Sequence, residues 1–282
     1  MTVNNPVSLK CPVCNEALNK ENNSYFCQNK HTHDIAKEGY VNLLLAQHKR
    51  SKNPGDSDEM IRSRQAFLNK DYYKTLSDAI VQQISSMPQE FEQNILDVGC
   101  GEGYYMQGIV DASTNAKLSL SGIDISKSAV KLAGKRKMGT SLCVASAYDL
   151  PFFNESFSSI VSVFSPVSAS EIERLLKPDG NIIMVGPGEE HLKGLTAHIY
   201  DEVLPHKGNY SVIDESESFT LKEQIEIKEE IVVKQEDILD LLRMTPYYWQ
   251  ITVEKKENIL ALSELRTIVH FYVRVYGRVK TI

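Results

Sequence analysis

Three cysteines and a histidine near the N-terminus have the spacing of metal ligands. Cys11 and Cys14 are separated by two residues, and Cys27 and His31 by three, which gives a C-x2-C-x12-C-x3-H pattern. Thiolates and an imidazole at these spacings suit one closed, tetrahedral structural zinc site. Reduced cysteines in a small core are the alternative, but the surrounding residues are polar. The fourth ligand is His31, which we prefer, or His33, which is also within reach.

A glycine-rich string in the middle of the chain forms a second candidate site. Asp97 begins the string Asp-Val-Gly-Cys-Gly-Glu-Gly, and Asp124 closes another apolar run 27 residues later. Glycines let the backbone turn sharply from strand to helix and let a ligand approach closely. Glu102 would oppose a phosphate, so a ligand with a cationic or amino-acid end fits better. The carboxylate of Asp124 can accept both hydroxyls of a ribose, and a generic dinucleotide-binding turn is the alternative.

Alternating strands and helices are needed to position these groups, and the sequence from Asn94 onward predicts them. The predicted strands are 95–98, 118–125, 141–145, 158–164 and 181–185, and the predicted helices are 103–112, 126–135, 168–176 and 189–203. Such alternation predicts an α/β fold with a mostly parallel sheet. Residues 267–276 alternate with a period of two, which predicts a half-exposed, antiparallel last strand. Before this domain, helices are predicted after Ser57 and over 72–87.

Composition excludes several classes of protein. The 282 residues are 42% hydrophobic and 24% charged, which excludes general disorder. No apolar run approaches the roughly 20 residues of a membrane helix, so no membrane partner is expected. The first ten residues lack an apolar signal core, which predicts a cytoplasmic protein.

The charge is distributed unevenly along the chain. The net charge of −6 argues against a nucleic-acid partner, but residues 1–74 hold 11 basic and 8 acidic residues, whereas the remainder holds 20 and 29. Within the basic part, a polar run provides candidate contacts to RNA phosphates, helped by Arg62 and Arg64. The candidates in that run are His48, Lys49, Arg50 and Lys52. A solvated loop is the alternative.

The glycine-rich string with Asp124 resembles the cofactor site of class I S-adenosylmethionine-dependent methyltransferases. The resemblance implies a Rossmann-like sheet and cofactor contacts from Asp97, Gly99, Gly101, Glu102 and Asp124. Ser146 stands where many relatives have an Asp that contacts the adenine amino group.

Over nearly the whole chain, the sequence resembles the RlmA family. The segments that carry this resemblance are the Cys/His pattern, residues 36–44, 48–51 and 53–57, Gly103-Tyr104-Tyr105 and Met244-Thr245-Pro246-Tyr247. The family implies a homodimeric enzyme that transfers a methyl group from S-adenosylmethionine to N1 of a guanine in a hairpin of large-subunit (23S) rRNA. It also implies a zinc module that helps to grip the RNA. A tyrosine before the core and a histidine after it contact the cofactor in the family, and here they match Tyr73 and His191.

These expectations divide the chain into a zinc-binding RNA-recognition module (1–45), a basic loop with a helical connector (46–90) and a Rossmann-like methyltransferase domain (91–282). The rivals are a methyltransferase for a small metabolite and a non-catalytic RNA-binding protein with a vestigial fold. The zinc module and the basic loop favour a macromolecular substrate, and the intact string disfavours a vestigial site.

Catalytic residues stay unassigned at this stage. Phe164-Ser165-Pro166-Val167 lacks the Asn/Asp-Pro-Pro-aromatic motif of amino-methylating relatives, which counts against adenine N6 as the acceptor. Asp149, Glu189 and Glu190 are candidate acceptors of the guanine N1 proton, but each is more typical of a solvated surface. Positioning alone can supply much of the catalysis.

Overall fold

The structure is a computed structural model that describes residues 7–48, 54–87, 92–114, 117–201, 206 and 208–279. The N-terminal part contains a small antiparallel sheet of three strands, β1 (Asn19–Glu21), β2 (Ser24–Phe26) and β3 (Thr32–Asp34). Its strands carry exposed or half-buried side chains, so this sheet has little core of its own. The segment before this sheet contacts the larger domain instead. Leu9 forms an isolated antiparallel β-bridge with Phe152, and the Lys10 N–H donates to the Pro151 carbonyl at 2.8 Å.

The main sheet has eight strands in the order β10-β11-β9-β8-β5-β6-β7-β4. Its strands are β4 (Tyr40–Asn42), β5 (Gln93–Val98), β6 (Leu118–Asp124), β7 (Ser141–Val144), β8 (Phe157–Val163), β9 (Leu176–Pro187), β10 (Phe219–Lys234) and β11 (Glu264–Arg278). The pairs from β4 to β9 are parallel, whereas β11 is antiparallel to both β9 and β10. The predicted mostly parallel sheet with an antiparallel last strand is therefore confirmed.

Nine α-helices are present in the described part of the chain. They are α1 (Asp58–Leu68), α2 (Lys74–Ser85), α3 (Tyr104–Ala112), α4 (Lys127–Lys135), α5 (Ala169–Leu175), α6 (Lys193–Ile199), α7 (Ser211–Asp214), α8 (Gln235–Arg243) and α9 (Val253–Leu260). Short 3-10 helices cover Ala46–His48 and Pro246–Trp249. The hydroxyl groups of Ser57 and Ser126 accept backbone N–H groups at the starts of α1 and α4, as their sequence positions predict. Each of these helices is too short or too polar to cross a bilayer.

Two apolar clusters lie on the two faces of the sheet. Ile95 belongs to the cluster that contains Phe67 and Met106, whereas its neighbour Leu96 belongs to the cluster that contains Phe157. Because successive strand residues point to opposite faces, a central strand with both kinds of neighbour is buried on both sides. The glycine-rich string at the end of β5 therefore follows a strand that packing on both faces holds in place.

Two sequence predictions differ from the structure. Helix α6 is shorter than the predicted 189–203, because Gly188–His191 form a turn and Leu192, with a φ of +57°, precedes the first helical residue. The last strand is more buried than predicted, since His270 and Tyr276 on its polar face are 2% and 1% exposed, whereas Tyr272 and Arg274 on the same face are half-buried. The Tyr276 hydroxyl donates to Asp214, the last residue of α7, at 2.7 Å, so burial of its polar end is compensated.

Candidate functional site

The N-terminal cluster brings the predicted metal ligands together. The ligand atoms of Cys11, Cys14, Cys27 and His31 all lie within 4.8 Å of one another. The Cys14 and Cys27 sulfurs are 3.6 Å apart, and the His31 Nδ1 atom lies 3.6 Å from the Cys11 sulfur and 3.3 Å from the Cys27 sulfur. Ligand bonds of about 2.0–2.3 Å in a tetrahedron give separations of about 3.5–3.8 Å. The donor set and its spacing therefore fit Zn²⁺.

His33 lies beside this cluster. Its Nε2 atom is 3.7 Å from the Cys11 sulfur, whereas the group of four mutually close ligand atoms contains His31. Burial lowers the pKa of His33, with a further contribution from His31. The geometry thus favours His31 over His33 as the fourth donor.

A cavity of about 640 Å³ lies at the carboxyl ends of the central parallel strands. This edge of an open α/β sheet is where ligands generally bind. All eight cofactor residues expected from the sequence line this cavity, namely Tyr73, Asp97, Gly99, Gly101, Glu102, Asp124, Ser146 and His191. Three glycines of the string, Gly99, Gly101 and Gly103, have φ values of +78°, +55° and +86°, which residues with a Cβ rarely adopt.

Of the three aspartates that line the cavity, Asp97 and Asp124 differ in their hydrogen bonding. Both oxygens of Asp124 accept backbone N–H groups, from Gly101 at 3.0 Å and from Ser126 at 2.7 Å. Asp97 is 2% exposed, and its Oδ1 atom has no hydrogen-bond partner in the described structure. Burial and the neighbouring Asp124 raise the pKa of Asp97 to about 7. A buried carboxylate oxygen without a partner fits a cavity whose ligand brings a hydrogen-bond donor.

The environment of Glu102 changes the interpretation of its charge. The Arg136 guanidinium forms an ion pair with the Glu102 carboxylate, and its Nε atom also donates to the Glu102 carbonyl oxygen at 2.8 Å. Glu102 is therefore buried but compensated, and its charge alone does not argue against a phosphate ligand. The aspartates Asp97 and Asp124 carry the anionic character of this end of the cavity.

Tyr73 and His191 are 118 residues apart in the sequence, and their side chains meet at the cavity wall. The Tyr73 hydroxyl lies 3.4 Å from His191 Nε2. The backbone N–H of His270 donates to His191 Nδ1 at 3.3 Å, so the hydrogen-bond network assigns the ring hydrogen to Nε2. Burial lowers the pKa of His191 to about 3. At neutral pH, a neutral His191 therefore donates toward Tyr73.

Part of the cavity wall is aromatic, and sequence reasoning missed it. Phe164 is 46% exposed with a φ of +53°, and Tyr148 is 63% exposed. Tyr247 and His206 complete this aromatic wall, with the Tyr247 oxygen 2.9 Å from His206 Nε2. The signal available in the sequence was the aromatic after a strand, Phe164, and the resemblance segment that contains Tyr247.

Arg64 lines the cavity and does not lie on an exposed surface that could contact RNA. Its guanidinium pairs with Asp56 at 2.5 Å and donates to the Met244 carbonyl at 3.4 Å. The hypothesis that Arg64 helps to contact RNA phosphates is therefore not favoured by its position. Arg62, on the other side of α1, is exposed.

The remaining candidates lie outside the cavity or outside the described residues. Asp149, Glu189 and Glu190 are absent from its lining; Glu189 accepts from the Tyr272 hydroxyl, and Glu190 pairs with two lysines. This agrees with a surface role. Of the basic run, Lys49, Arg50 and Lys52 lie outside the described residues, as does the side chain of His48.

Comparison with known proteins gives two domain matches. Residues 9–52 match the N-terminal zinc-ribbon domain described as "RlmA, N-terminal", and residues 95–180 match a domain described as "Methyltransferase domain". A methyltransferase structure from Aquifex aeolicus is similar at a TM-score of 0.43 with 14% identity, covering 72% of this chain and 89% of that one. The two domain matches, together with the mostly parallel sheet and the glycine-rich string at the cavity, define a class I methyltransferase that uses S-adenosylmethionine and carries a zinc ribbon.

Two named relatives identify the family. A Streptomyces fradiae protein named 23S rRNA (guanine(748)-N(1))-methyltransferase is 30% identical over 66% of this chain and 66% of its own length. A Bacillus subtilis (strain 168) protein, YxjB, with a provisional name as a 23S rRNA (guanine-N(1)-)-methyltransferase, is 29% identical over 92% of each chain. The chain belongs to the RlmA family.

Proposed function

We propose that this protein transfers a methyl group from S-adenosylmethionine to N1 of a guanine in a hairpin of 23S rRNA. The observation that carries the proposal is a cavity lined by both buried aspartates and exposed aromatic rings, in a chain that also has an RlmA-type zinc ribbon. Relatives named for guanine-N1 methylation of 23S rRNA support the substrate.

Four residues hold the zinc ion in this proposal, namely Cys11, Cys14, Cys27 and His31. A Cys3His shell has no open position, so the zinc is structural and stabilises a segment too small to build a core. The contact of Leu9 with Phe152 then connects the ribbon to the methyltransferase domain.

The cofactor supplies an electrophilic methyl group on a sulfonium. Asp124 is oriented by two backbone N–H groups, which suits it to accept the ribose hydroxyls. The unpartnered Oδ1 of Asp97 suits a cationic amino group, and Gly101 leaves open space for the ligand. Tyr73, Glu102 and His191 form further walls, and Ser146 lies at the adenine end.

The acceptor guanine lies against the aromatic wall in this proposal. A base taken out of its RNA stack loses stacking energy, and an exposed ring such as Phe164 can replace it. Holding N1 in line with the methyl group converts a bimolecular reaction into an oriented one, which is the main source of rate here. The N1 proton leaves to solvent or to His206, whose imidazole is neutral because burial lowers its pKa.

The proposal also includes the expected RNA contacts, domain division, cellular location and oligomeric state. The zinc ribbon and basic run, including His48, Lys49, Arg50 and Lys52, grip the RNA in this proposal. The proposed domain division is 1–45, 46–90 and 91–282, with β4 of the first part forming the edge of the main sheet. We also propose a cytoplasmic homodimer.

The test is methylation of unmodified 23S rRNA by the purified protein with labelled S-adenosylmethionine, followed by mass mapping of the product. We expect one N1-methylguanine, with activity lost in Asp124→Ala. The control is Asp201→Ala, because Asp201 is fully exposed in its ion pair with Lys255. Methylation of another base or atom, or none with intact cofactor binding, would overturn the proposal.

A further inference from the structure

Helix α4 and the turn after it carry concentrated positive charge. Residues 126–140 contain four lysines and one arginine but no Asp or Glu. Lys127, Lys131 and Lys135 are spaced by four residues, so they share one side of the helix, and all three are exposed. Together with exposed Lys137 they are called the α4 lysine face.

This positive charge is largely uncompensated. Arg136 points inward to Glu102 and is not part of the face. Lys131 lies 3.8 Å from Glu38, at the limit of an ion pair. Across the described ranges, the other three lysines of the face form no ion pair. The face therefore stands out in a domain whose acidic residues exceed its basic ones, since residues 75–282 hold 20 basic and 29 acidic groups.

The position of α4 connects the zinc ribbon to the cavity. At its C-terminal end, the Glu38 carbonyl oxygen packs so closely on Gly134 that a Cβ there would overlap it. At its N-terminal end, a Cβ on Gly55 would lie 2.9 Å from the Ser126 Cβ, so the segment after the basic run lies against α4. Ser126 and Ala129 line the cavity.

We propose that the α4 lysine face binds the phosphate backbone of the substrate RNA and leads the strand from the zinc ribbon to the cavity. This inference rests on the proposed function. Lysines one helical turn apart present point charges to successive phosphates without reading sequence, so they fix the register of the strand and leave recognition of the base to the cavity. The net negative charge of the rest of the domain disfavours the backbone elsewhere, which favours binding at this face.

The experiment compares two triple variants of the full-length protein. The first is Lys127→Gln, Lys131→Gln and Lys135→Gln, since glutamine retains helix propensity. The control is Lys222→Gln, Lys228→Gln and Lys234→Gln, three exposed lysines on β10 at the opposite edge of the sheet. Both lose three positive charges. Binding of an unmodified 23S rRNA transcript is measured from about 50 to 200 mM salt, and S-adenosylmethionine binding by calorimetry.

We expect the α4 variant to bind the transcript roughly 10- to 100-fold more weakly at about 0.1 M salt, with a salt slope smaller by about 2–3. Its cofactor affinity should equal that of the wild type, which excludes misfolding as the cause. A slope and affinity equal to those of the control would overturn the inference while leaving the proposed function intact. A wild-type protein that neither binds nor methylates the transcript would overturn both.

Discussion

Arg136 Nε donates to the carboxylate of Glu102 at 2.9 Å and to its carbonyl oxygen at 2.8 Å, so one guanidinium holds both the side chain and the backbone of the cofactor string. The Glu102 side chain is 2% exposed and that of Arg136 is 15% exposed. This pair connects the end of α4 to the loop after β5. The lysine-rich helix and the cofactor site are thereby fixed relative to each other.

Arg136→Met should destabilise the protein by about 3–5 kcal/mol, because a buried carboxylate loses its partner. Adding Glu102→Gln should restore much of the loss, since the uncompensated charge is then gone. Urea unfolding measures both. Arg266→Met is the control, because the Arg266 side chain is 62% exposed in its ion pairs, and it should cost at most about 1 kcal/mol. Equal losses for Arg136 and Arg266 would contradict the prediction.

Asp97 should make cofactor affinity depend on pH. Its pKa is raised to about 7 from 3.8, so the free protein loses stability as the pH rises from about 4 to 7. A cationic ligand favours the ionised carboxylate, so affinity for S-adenosylmethionine should rise by ~tenfold per pH unit up to 7 and then level off. Calorimetry between pH 5 and 7.5 measures this. Asp97→Asn should remove the midpoint near pH 7, and an unchanged midpoint would refute the assignment.

His191 should make stability fall in mild acid. Its folded pKa is lowered to about 3 from 6.5, so its contribution is present above pH 6.5 and is lost as the pH falls. Between pH 6.5 and 5 the free energy of unfolding should fall by about 2 kcal/mol. In this range the histidine binds a proton in the unfolded state, whereas buried His191 stays neutral in the folded state. Urea unfolding of His191→Gln should show a flatter pH dependence, whereas exposed His198→Gln should match the wild type. The same pH dependence of the free energy of unfolding in both variants would contradict the role assigned to His191.

Cys14→Ser should release zinc and unfold the ribbon, because its small sheet lacks a core. Elemental analysis should find about one zinc per chain in the wild type and much less in the variant. Hydrogen exchange should become fast over residues 9–34, while S-adenosylmethionine still binds. Cys143→Ala serves as the control, since Cys143 is buried outside the cluster and should leave the zinc content unchanged. Full zinc retention in Cys14→Ser would overturn the ligand assignment.

Gly134→Ala tests the contact between the ribbon segment and α4. Alanine favours a helix over glycine by about 1 kcal/mol, but the added Cβ overlaps the backbone oxygen of Glu38, which costs about 1–3 kcal/mol. We expect net destabilisation in thermal unfolding. Gly108→Ala in α3 meets only the Ser77 Oγ, a side-chain atom that can rotate, so it should be neutral or stabilising. A higher melting temperature for Gly134→Ala would contradict the prediction, because it would mean that the backbone at Glu38 moves to accommodate the added Cβ.

The sequence by itself determined the features that depend on local patterns. Ligand spacing predicted the Cys/His cluster, since residues close in sequence form each half of the site. The strand, glycine string and helix around Asp97 were predictable because φ preferences and apolar periodicity act over a few residues. Asp124 was expected at the next strand end for the same reason.

Only the tertiary structure decided contacts between distant segments. Tyr73 and His191 are 118 residues apart and meet because α2 and the turn before α6 pack at one end of the sheet. His270 and Tyr276 on the polar face of β11 are buried by packing with distant segments, which an alternating pattern cannot reveal. The pairing of Glu102 with Arg136, and the lysines of α4 between ribbon and cavity, likewise depend on which helices become neighbours. Local propensity fixes each element, whereas the neighbours are fixed by the free energy of packing the whole chain.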